Sequence, residues 1–130
     1  MDEQVRTGGC LCGAASIRLK GQPTRVGICH CHDCRRTSGS AFVCFAVWPR
    51  SSYEDTGNLH TFAGRSFCPT CGSRLVSLRE DEAEVMIGSL DQAPSNLIPD
   101  YELWIGRREP WLLNLEWAVQ FEHDWEPRKN

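Results

Sequence analysis

Cys68-Pro69-Thr70-Cys71-Gly72, in the middle of the sequence, is the stretch that decides the fold, together with Cys10-Leu11-Cys12-Gly13 in its first fifteen residues. Cys-x-x-Cys and Cys-x-Cys each bring two sulfurs within reach of one ion, and zinc prefers four such ligands in a tetrahedron. The glycine after each pair suits a tight turn with a left-handed backbone. The two segments therefore predict one structural zinc, held by Cys10, Cys12, Cys68 and Cys71, that joins two distant turns.

A third group of cysteines lies between them, in Cys29-His30-Cys31-His32-Asp33-Cys34. It offers three sulfurs, and three protein ligands with an open fourth position are typical of catalytic zinc. An extended backbone over residues 29–32 would point Cys29 and Cys31 the same way and both histidines away, with Cys34 folding back at Asp33. A histidine or Cys44 could instead close the site, although Cys44 lies in an apolar run that favours core packing.

Disulfides are the competing interpretation of eight cysteines in 130 residues. The start of the chain, residues 1–7, lacks the apolar core of a secretory signal, and no stretch approaches the ~20 apolar residues of a membrane span. We therefore expect a cytoplasmic protein without a membrane partner. Thiols stay reduced in that compartment, where closely spaced cysteines are typical of metal binding or catalysis.

Length and composition indicate a single domain spanning residues 1–130, with the motifs confined to about 8–112. Hydrophobic residues make up 41% and charged residues 24%, as in ordinary globular proteins. The formal charge is −3. Phosphate backbones require a basic surface, which this chain lacks, so nucleic acid is excluded as a general partner.

Hydrophobic patterning predicts a mainly β protein with mostly antiparallel strands. The expected strands cover residues 15–20, 41–48, 59–62, 75–78 and 84–87. The run 41–48 is apolar throughout, which favours a strand buried on both faces. A short helix is expected around Pro94 to Leu97. Residues 113–121 alternate like a strand, yet Pro110 and Trp111 could open a short helix instead.

These motifs resemble the glutathione-dependent formaldehyde-activating enzyme family, which also includes centromere protein V. The likeness is carried by the following segments: Gly9-Cys10-Leu11-Cys12-Gly13, Cys29-His30-Cys31 with Cys34-Arg35-Arg36 and Ser38-Gly39-Ser40, Phe67 to Ser73, Pro99 to Trp104, and Arg108 to Leu112. The resemblance implies a β-tent fold and two zinc ions per chain. One would be structural, on Cys10, Cys12, Cys68 and Cys71. The second, on Cys29, Cys31 and Cys34, would be catalytic in condensing glutathione with formaldehyde.

The residues around the second site suggest how a thiol substrate would be held. Coordination to zinc removes a thiol proton near neutral pH, so we expect thiol capture and positioning. Arg35 and Arg36 could bind carboxylates of glutathione or another small thiol, or could simply offset the anionic metal sites. Ser38 and Ser40 could contact substrate, or could act only as turn residues.

Two functions of different class follow. The first is a zinc-dependent carbon–sulfur lyase that joins a small thiol to formaldehyde or another small aldehyde. The second is a non-enzymatic, zinc-stabilised module for protein binding, in which both ions are structural. A fourth protein ligand at the middle cluster, from His30, His32 or Cys44, would favour the second.

Overall fold

The computed structural model describes residues 4–127 and is built almost wholly of short strands. The strands are, in chain order: β1 Val5–Gly9, β2 Ser16–Lys20, β3 Arg25–Cys29, β4 Val43–Pro49, β5 Tyr53–Thr56, β6 His60–Phe62, β7 Arg65–Phe67, β8 Arg74–Leu78, β9 Glu82–Met86, β10 Tyr101–Leu103 and β11 Val119–Gln120. One α-helix, α1, covers His32–Ser38, and 3₁₀ turns cover Arg50–Ser52, Ile87–Ser89 and Ile105–Arg107. The predicted mainly β, single-domain fold is confirmed.

The strands form two sheets. One has three antiparallel strands in the order β1-β2-β5, and the other has eight in the order β11-β10-β3-β4-β9-β8-β7-β6. Pairing is antiparallel except that β10 runs parallel to both β3 and β11. That exception brings the C-terminal third of the chain beside β3, the strand that ends at Cys29.

Strand β4 separates two hydrophobic cores, as its apolar sequence predicted. Ala46 and Trp48 face a core between the two sheets, while Phe45 and Val47 face a second core on the other side. Successive side chains of a strand point to opposite faces, so an apolar residue is needed at every position. The second core contains Cys29 and Cys34, and therefore lies directly behind the middle cysteine cluster.

Two local predictions were wrong, and a conditional one holds only in part. The segment from Pro94 to Leu97 is irregular, because Asn96 adopts a left-handed backbone with φ of 65° that a helix cannot accommodate. The extended backbone considered for residues 29–32 is present at Cys29, the end of β3, and at Cys31, which has φ of −66° and ψ of 160°, but His32 already begins α1. Of residues 113–121, only Val119–Gln120 forms a strand, and Pro110 with Trp111 lies in a turn.

Within residues 4–127, the chain has no helix with the length and apolar character needed to cross a bilayer. The N-terminal segment used to judge secretion begins with residues 1–3, which lie outside the described residues. The cytoplasmic location and the domain limits 1–130 stay predictions.

Candidate metal centres and the adjoining cleft

Four cysteine sulfurs from the two distant turns meet at one point. The Sγ atoms of Cys10, Cys12, Cys68 and Cys71 all lie within 4.8 Å of one another. The Cys10–Cys12 and Cys12–Cys68 sulfurs are 3.6 and 3.7 Å apart. A tetrahedron with zinc–sulfur bonds of 2.3 Å has edges of about 3.8 Å, whereas a disulfide is about 2.05 Å long. The donor set therefore fits a four-thiolate zinc, and all eight cysteines are free thiols.

Backbone hydrogen bonds shape the two turns that supply these sulfurs. The Gly72 N–H donates to the Cys68 carbonyl at 2.8 Å, and Gly72 has the positive φ, 80°, that glycine accepts without strain. Ser73 links the turns, because its hydroxyl accepts from the Leu11 N–H at 3.0 Å and lies 3.2 Å from the Cys71 sulfur. Hydrogen bonds from the Ser73 side chain and backbone lower the pKa of the Cys71 thiol to about 5. Cys71 is thus held as a thiolate at neutral pH.

The middle cluster is built where β3 meets α1. Cys29 is the last residue of β3, Cys31 caps the N-terminus of the helix, and Cys34 lies in its first turn. The three sulfurs lie within 4.8 Å of one another, and the Cys34 N–H donates to the Cys31 sulfur at 3.3 Å. A helical turn, and not the expected bend at Asp33, brings Cys34 back to the other two.

The middle cluster also favours a thiolate. The pKa of Cys34 is lowered to about 6. A hydrogen bond from Cys29 is the largest cause; burial acts against it, and a hydrogen bond from Cys31 and the charge of Arg74 reinforce it. The pKa of Cys29 is raised, mainly by its hydrogen bond to Cys34, and burial raises the pKa of Cys31. The cluster therefore holds one thiolate, stabilised by its two neighbouring thiols, and its negative charge suits a cation.

None of the three candidate fourth ligands joins this cluster. His30 is buried, and its Nε2 lies 2.8 Å from Glu102 Oε1. His32 is exposed at the start of α1. Cys44 sits in β4, where burial raises the pKa of its thiol to about 11. Across residues 4–127, no further Cys, His, Asp or Glu places a ligand atom within 4.8 Å of all three sulfurs.

The two predicted substrate contacts, Arg35 and Ser38, have protein partners in this structure. Arg35 Nη2 donates to Glu109 Oε2 at 2.5 Å, and its Nη1 donates to the Arg107 carbonyl at 3.2 Å. The Ser38 hydroxyl donates to the Cys34 carbonyl at 2.8 Å and accepts from the Ser40 N–H at 3.1 Å. These bonds tie α1 to the C-terminal segment and close its last turn. Substrate binding by either residue stays a prediction.

A cleft of about 300 Å³ opens beside the three sulfurs. One part of its wall is apolar, formed by Phe45, Leu78 and Leu103. Another part is charged and was not anticipated from the sequence. Its members are Arg65, Arg74, Arg79, Glu84 and Asp124. Arg65, Arg74 and Glu84 lie on β7, β8 and β9, Arg79 lies in the connection between β8 and β9, and Asp124 lies in the C-terminal segment. Tertiary structure brings them together, and the hydrogen bond from Arg74 to Thr37 places β8 beside α1.

The three arginines of the cleft differ in how firmly they are held. Arg74 donates to Thr37 Oγ1 at 2.7 Å and to Ser77 Oγ at 3.3 Å, with Glu84 4.0 Å away. Arg65 donates to the Ala63 carbonyl and lies 3.4 Å from Asp33. The Arg79 side chain is 56% exposed and lies 3.5 Å from Glu84. Arg74 is therefore a fixed cation, while Arg79 can reorient toward a ligand.

Comparisons with known proteins agree with these observations. A family model described as glutathione-dependent formaldehyde-activating enzyme matches residues 5–107. An uncharacterized lyase of Schizosaccharomyces pombe is 32% identical over 73 residues, which are 52% of this chain and 53% of the relative. The chain thus matches about half the length of this curated relative. A crystal structure of a Rhodobacter sphaeroides protein shares the fold, with a TM-score of 0.55, 23% identity, and coverage of 72% of this chain and 97% of the other.

Proposed function

Because this chain belongs to the glutathione-dependent formaldehyde-activating enzyme family, we propose that it is a carbon–sulfur lyase that joins a small thiol to formaldehyde or another small aldehyde. The observation that carries the proposal is the cluster of Cys29, Cys31 and Cys34, whose sulfurs border a charged cleft. Three thiols with no fourth ligand in the described part of the chain match the donor count of catalytic zinc. The same count disfavours a purely structural module, in which both sites would be closed.

The donor chemistry supports two zinc ions per chain. Seven cysteine sulfurs in groups of four and three fit a soft or borderline divalent ion and not a hard one. Zinc bound by Cys29, Cys31 and Cys34 would lower the pKa of an incoming thiol and hold its sulfur.

The cleft walls supply binding and orientation. Phe45 and Leu103 form an apolar surface next to the sulfurs, which suits the methylene groups of a thiol and limits the approach of water. Arg65 and Arg79 lie on the same cleft, and guanidinium groups pair with carboxylates in a bidentate manner. We therefore propose glutathione or another small thiol that carries a carboxylate as the substrate.

The reaction proposed is an addition with no redox step. The thiol sulfur forms a bond to the aldehyde carbon, the C=O π bond breaks, and its electron pair moves to oxygen. The proton lost by the thiol ends on that oxygen through solvent, which gives an S-hydroxymethyl thioether from formaldehyde. Holding sulfur and aldehyde together supplies the positional part of the catalysis.

Formaldehyde consumption with a panel of thiols tests the proposal directly. Zinc-loaded protein should accelerate the reaction of glutathione over the spontaneous rate, and protein stripped of zinc should not. Glutathione with both carboxylates esterified is the matched substrate, because it keeps the thiol and loses the anionic groups. We expect a KM at least tenfold higher for the ester, given about 1.5 kcal/mol or more for a charged hydrogen bond.

Arg79→Gln tests whether Arg79 binds a carboxylate of the thiol substrate. The variant should raise the KM for glutathione and leave the KM for the diester unchanged, because only the free acid can pair with the guanidinium. Equal rates for loaded protein, stripped protein and buffer would contradict the enzymatic function. Equal KM values for acid and ester would contradict the carboxylate assignment alone.

A further inference from the structure

Arg74 is the most firmly held cation on the cleft, and we propose that it is a catalytic residue: it donates a hydrogen bond to the oxygen that becomes negatively charged when a thiolate adds to the aldehyde. The inference rests on the proposed thiol–aldehyde addition and assigns a group for its oxyanion.

The position of Arg74 is fixed from two sides. The Thr37 hydroxyl accepts from its Nη1, and that hydroxyl in turn donates to the Cys34 carbonyl at 3.2 Å. Ser77, three residues further along β8, accepts a hydrogen bond from the Arg74 Nη2. The Arg74 side chain is only 8% exposed. A buried guanidinium with this bracing cannot swing into bulk water, so its orientation is set before any substrate arrives.

Arg74 also retains a donor that the protein does not use. A guanidinium has five N–H groups. Thr37 and Ser77 take one each, a hydrogen bond to the Cys34 sulfur takes a third, and Glu84 at 4.0 Å is beyond hydrogen-bonding distance. The Nε–H is buried without an acceptor among the described residues. One N–H on the terminal nitrogens therefore remains for an oxygen in the cleft.

The location matches the place where charge develops. Arg74 lines the same cleft as the three cysteine sulfurs, and the Thr37 hydroxyl connects its guanidinium to the Cys34 carbonyl. When the S–C bond forms, the π electron pair of the C=O bond moves to oxygen. The resulting alkoxide oxygen is bonded directly to the carbon that sulfur attacks. A donor already in place for that oxygen stabilises the transition state more than the neutral aldehyde.

The other two cleft arginines fit this role less well. Arg79 is mostly exposed, and solvent competes for its hydrogen bonds. Arg65 uses its Nη1 for the Ala63 carbonyl in its own hairpin, and its Nη2 lies near Asp33. Both suit the recognition of a distant carboxylate better than the oxygen at the reacting carbon.

Arg74→Lys and Arg74→Met test the inference, with zinc content and circular dichroism measured for each variant. Loss of one oxyanion donor costs on the order of 100-fold in kcat, and we expect that loss with the KM for glutathione changed less than about threefold. Arg6→Lys and Arg6→Met are matched controls, because Arg6 is also a buried arginine with an unpartnered Nε but lies on β1, outside the cleft.

Binding of the proposed product and of one analogue provides a readout that a merely structural role would not change. S-hydroxymethylglutathione carries –CH2OH on sulfur and S-ethylglutathione carries –CH2CH3, so a hydroxyl replaces a methyl group at the position of the proposed oxyanion. Wild-type protein should prefer the hydroxyl compound about tenfold, and Arg74→Lys or Arg74→Met should lose that preference while still binding S-ethylglutathione. If Met disrupts folding, the Lys variant alone decides the question.

The outcomes separate this inference from the function on which it rests. Wild-type protein without rate acceleration would overturn both. Active wild-type protein, together with an Arg74→Lys variant that keeps its kcat and its preference for the hydroxyl compound, would overturn the role of Arg74 alone. Equal weakening of both compounds with loss of zinc would also contradict it, because that pattern indicates a structural residue.

Discussion

The two cysteine clusters use the same ligand in opposite ways. The four-sulfur cluster joins turns that are 56 residues apart in sequence, and Cys68 within it is only 1% exposed and packs in the core between the sheets. The three-sulfur cluster comes from six consecutive residues at the end of β3 and the start of α1, and it borders a cleft. Ligands distant in sequence determine the fold when they meet, whereas ligands close in sequence can serve chemistry without supporting the whole domain.

The largest effect should follow from breaking the four-sulfur cluster. Cys68→Ser removes one sulfur of the proposed zinc site, where zinc would contribute on the order of 10 kcal/mol, comparable to the whole stability of a small domain. We expect an unfolded protein, measured as loss of β-sheet circular dichroism and of both zinc ions. A folded Cys68→Ser variant that retains one zinc would contradict the structural assignment.

Breaking the three-sulfur cluster should leave the domain folded. Cys31→Ser removes a sulfur, but serine is itself a preferred N-cap, so α1 keeps its start. We expect native circular dichroism, about one zinc per chain, and no formaldehyde-consuming activity. If Cys31→Ser and Cys68→Ser lose secondary structure equally, the division between the clusters is wrong.

The next largest effect on stability is expected from the buried hydrogen bonds of Glu102, which lie beside the three-sulfur cluster. Glu102 on β10 accepts hydrogen bonds from His30, the Leu115 N–H at 2.9 Å and Gln120 at 3.0 Å. Burial raises the pKa of Glu102, but these bonds outweigh it and hold the pKa below its usual range. Glu102→Leu should lower the free energy of unfolding by about 3–5 kcal/mol, because the donors on His30, Leu115 and Gln120 would be left unpaired. Urea denaturation checks this value, and a loss below about 1 kcal/mol would show that the network contributes little.

The smallest effect is expected at the other end of β3. Arg25 holds Glu82 through two bonds of 2.6 and 3.1 Å. The hydrogen bond from Arg25 is the main cause that lowers the pKa of Glu82, with burial acting against it. A lowered folded-state pKa stabilises the protein above the unfolded pKa of about 4.3, and this contribution is lost as the pH falls through the folded value.

Glu82→Gln should therefore reduce stability by about 1 kcal/mol at pH 7 and flatten the decline of Tm below about pH 4.5. Glu80→Gln, on an exposed carboxylate of the same hairpin, is the matched control. If Tm falls as steeply below about pH 4.5 in Glu82→Gln as in the wild type, the Arg25–Glu82 pair does not contribute to stability against acid.

Spacing and periodicity predicted those parts of the molecule that depend on local sequence. They gave both cysteine groups, the strands around residues 15–20 and 41–48, and the burial of β4 on both faces. They failed where tertiary context decides. The helix at His32–Ser38 contains no apolar periodicity and exists because Cys31 caps it and Gly39 ends it in a left-handed conformation.

The charged cleft was missed for a related reason. Arg65, Arg74 and Arg79 have no distinguishing pattern in the chain, and they share a cleft with the cysteines through tertiary structure, in which β7 and β8 are neighbours and Arg74 bonds to Thr37 of α1. Arg35 and Arg36, which adjoin Cys34 in sequence, were the candidates for binding a substrate carboxylate. In the helix, however, Arg35 is directed to Glu109. Adjacency in sequence is a poor guide to which guanidinium shares a cleft with a thiol.

Zinc K-edge X-ray absorption of the two-zinc protein, before and after addition of glutathione, tests the central claim most directly. Seven cysteine sulfurs over two ions predict about 3.5 sulfur ligands per zinc without thiol, rising to about 4 with glutathione. Four protein-derived ligands at both ions without thiol, unchanged by glutathione, would contradict the open three-sulfur site and the chemistry assigned to it.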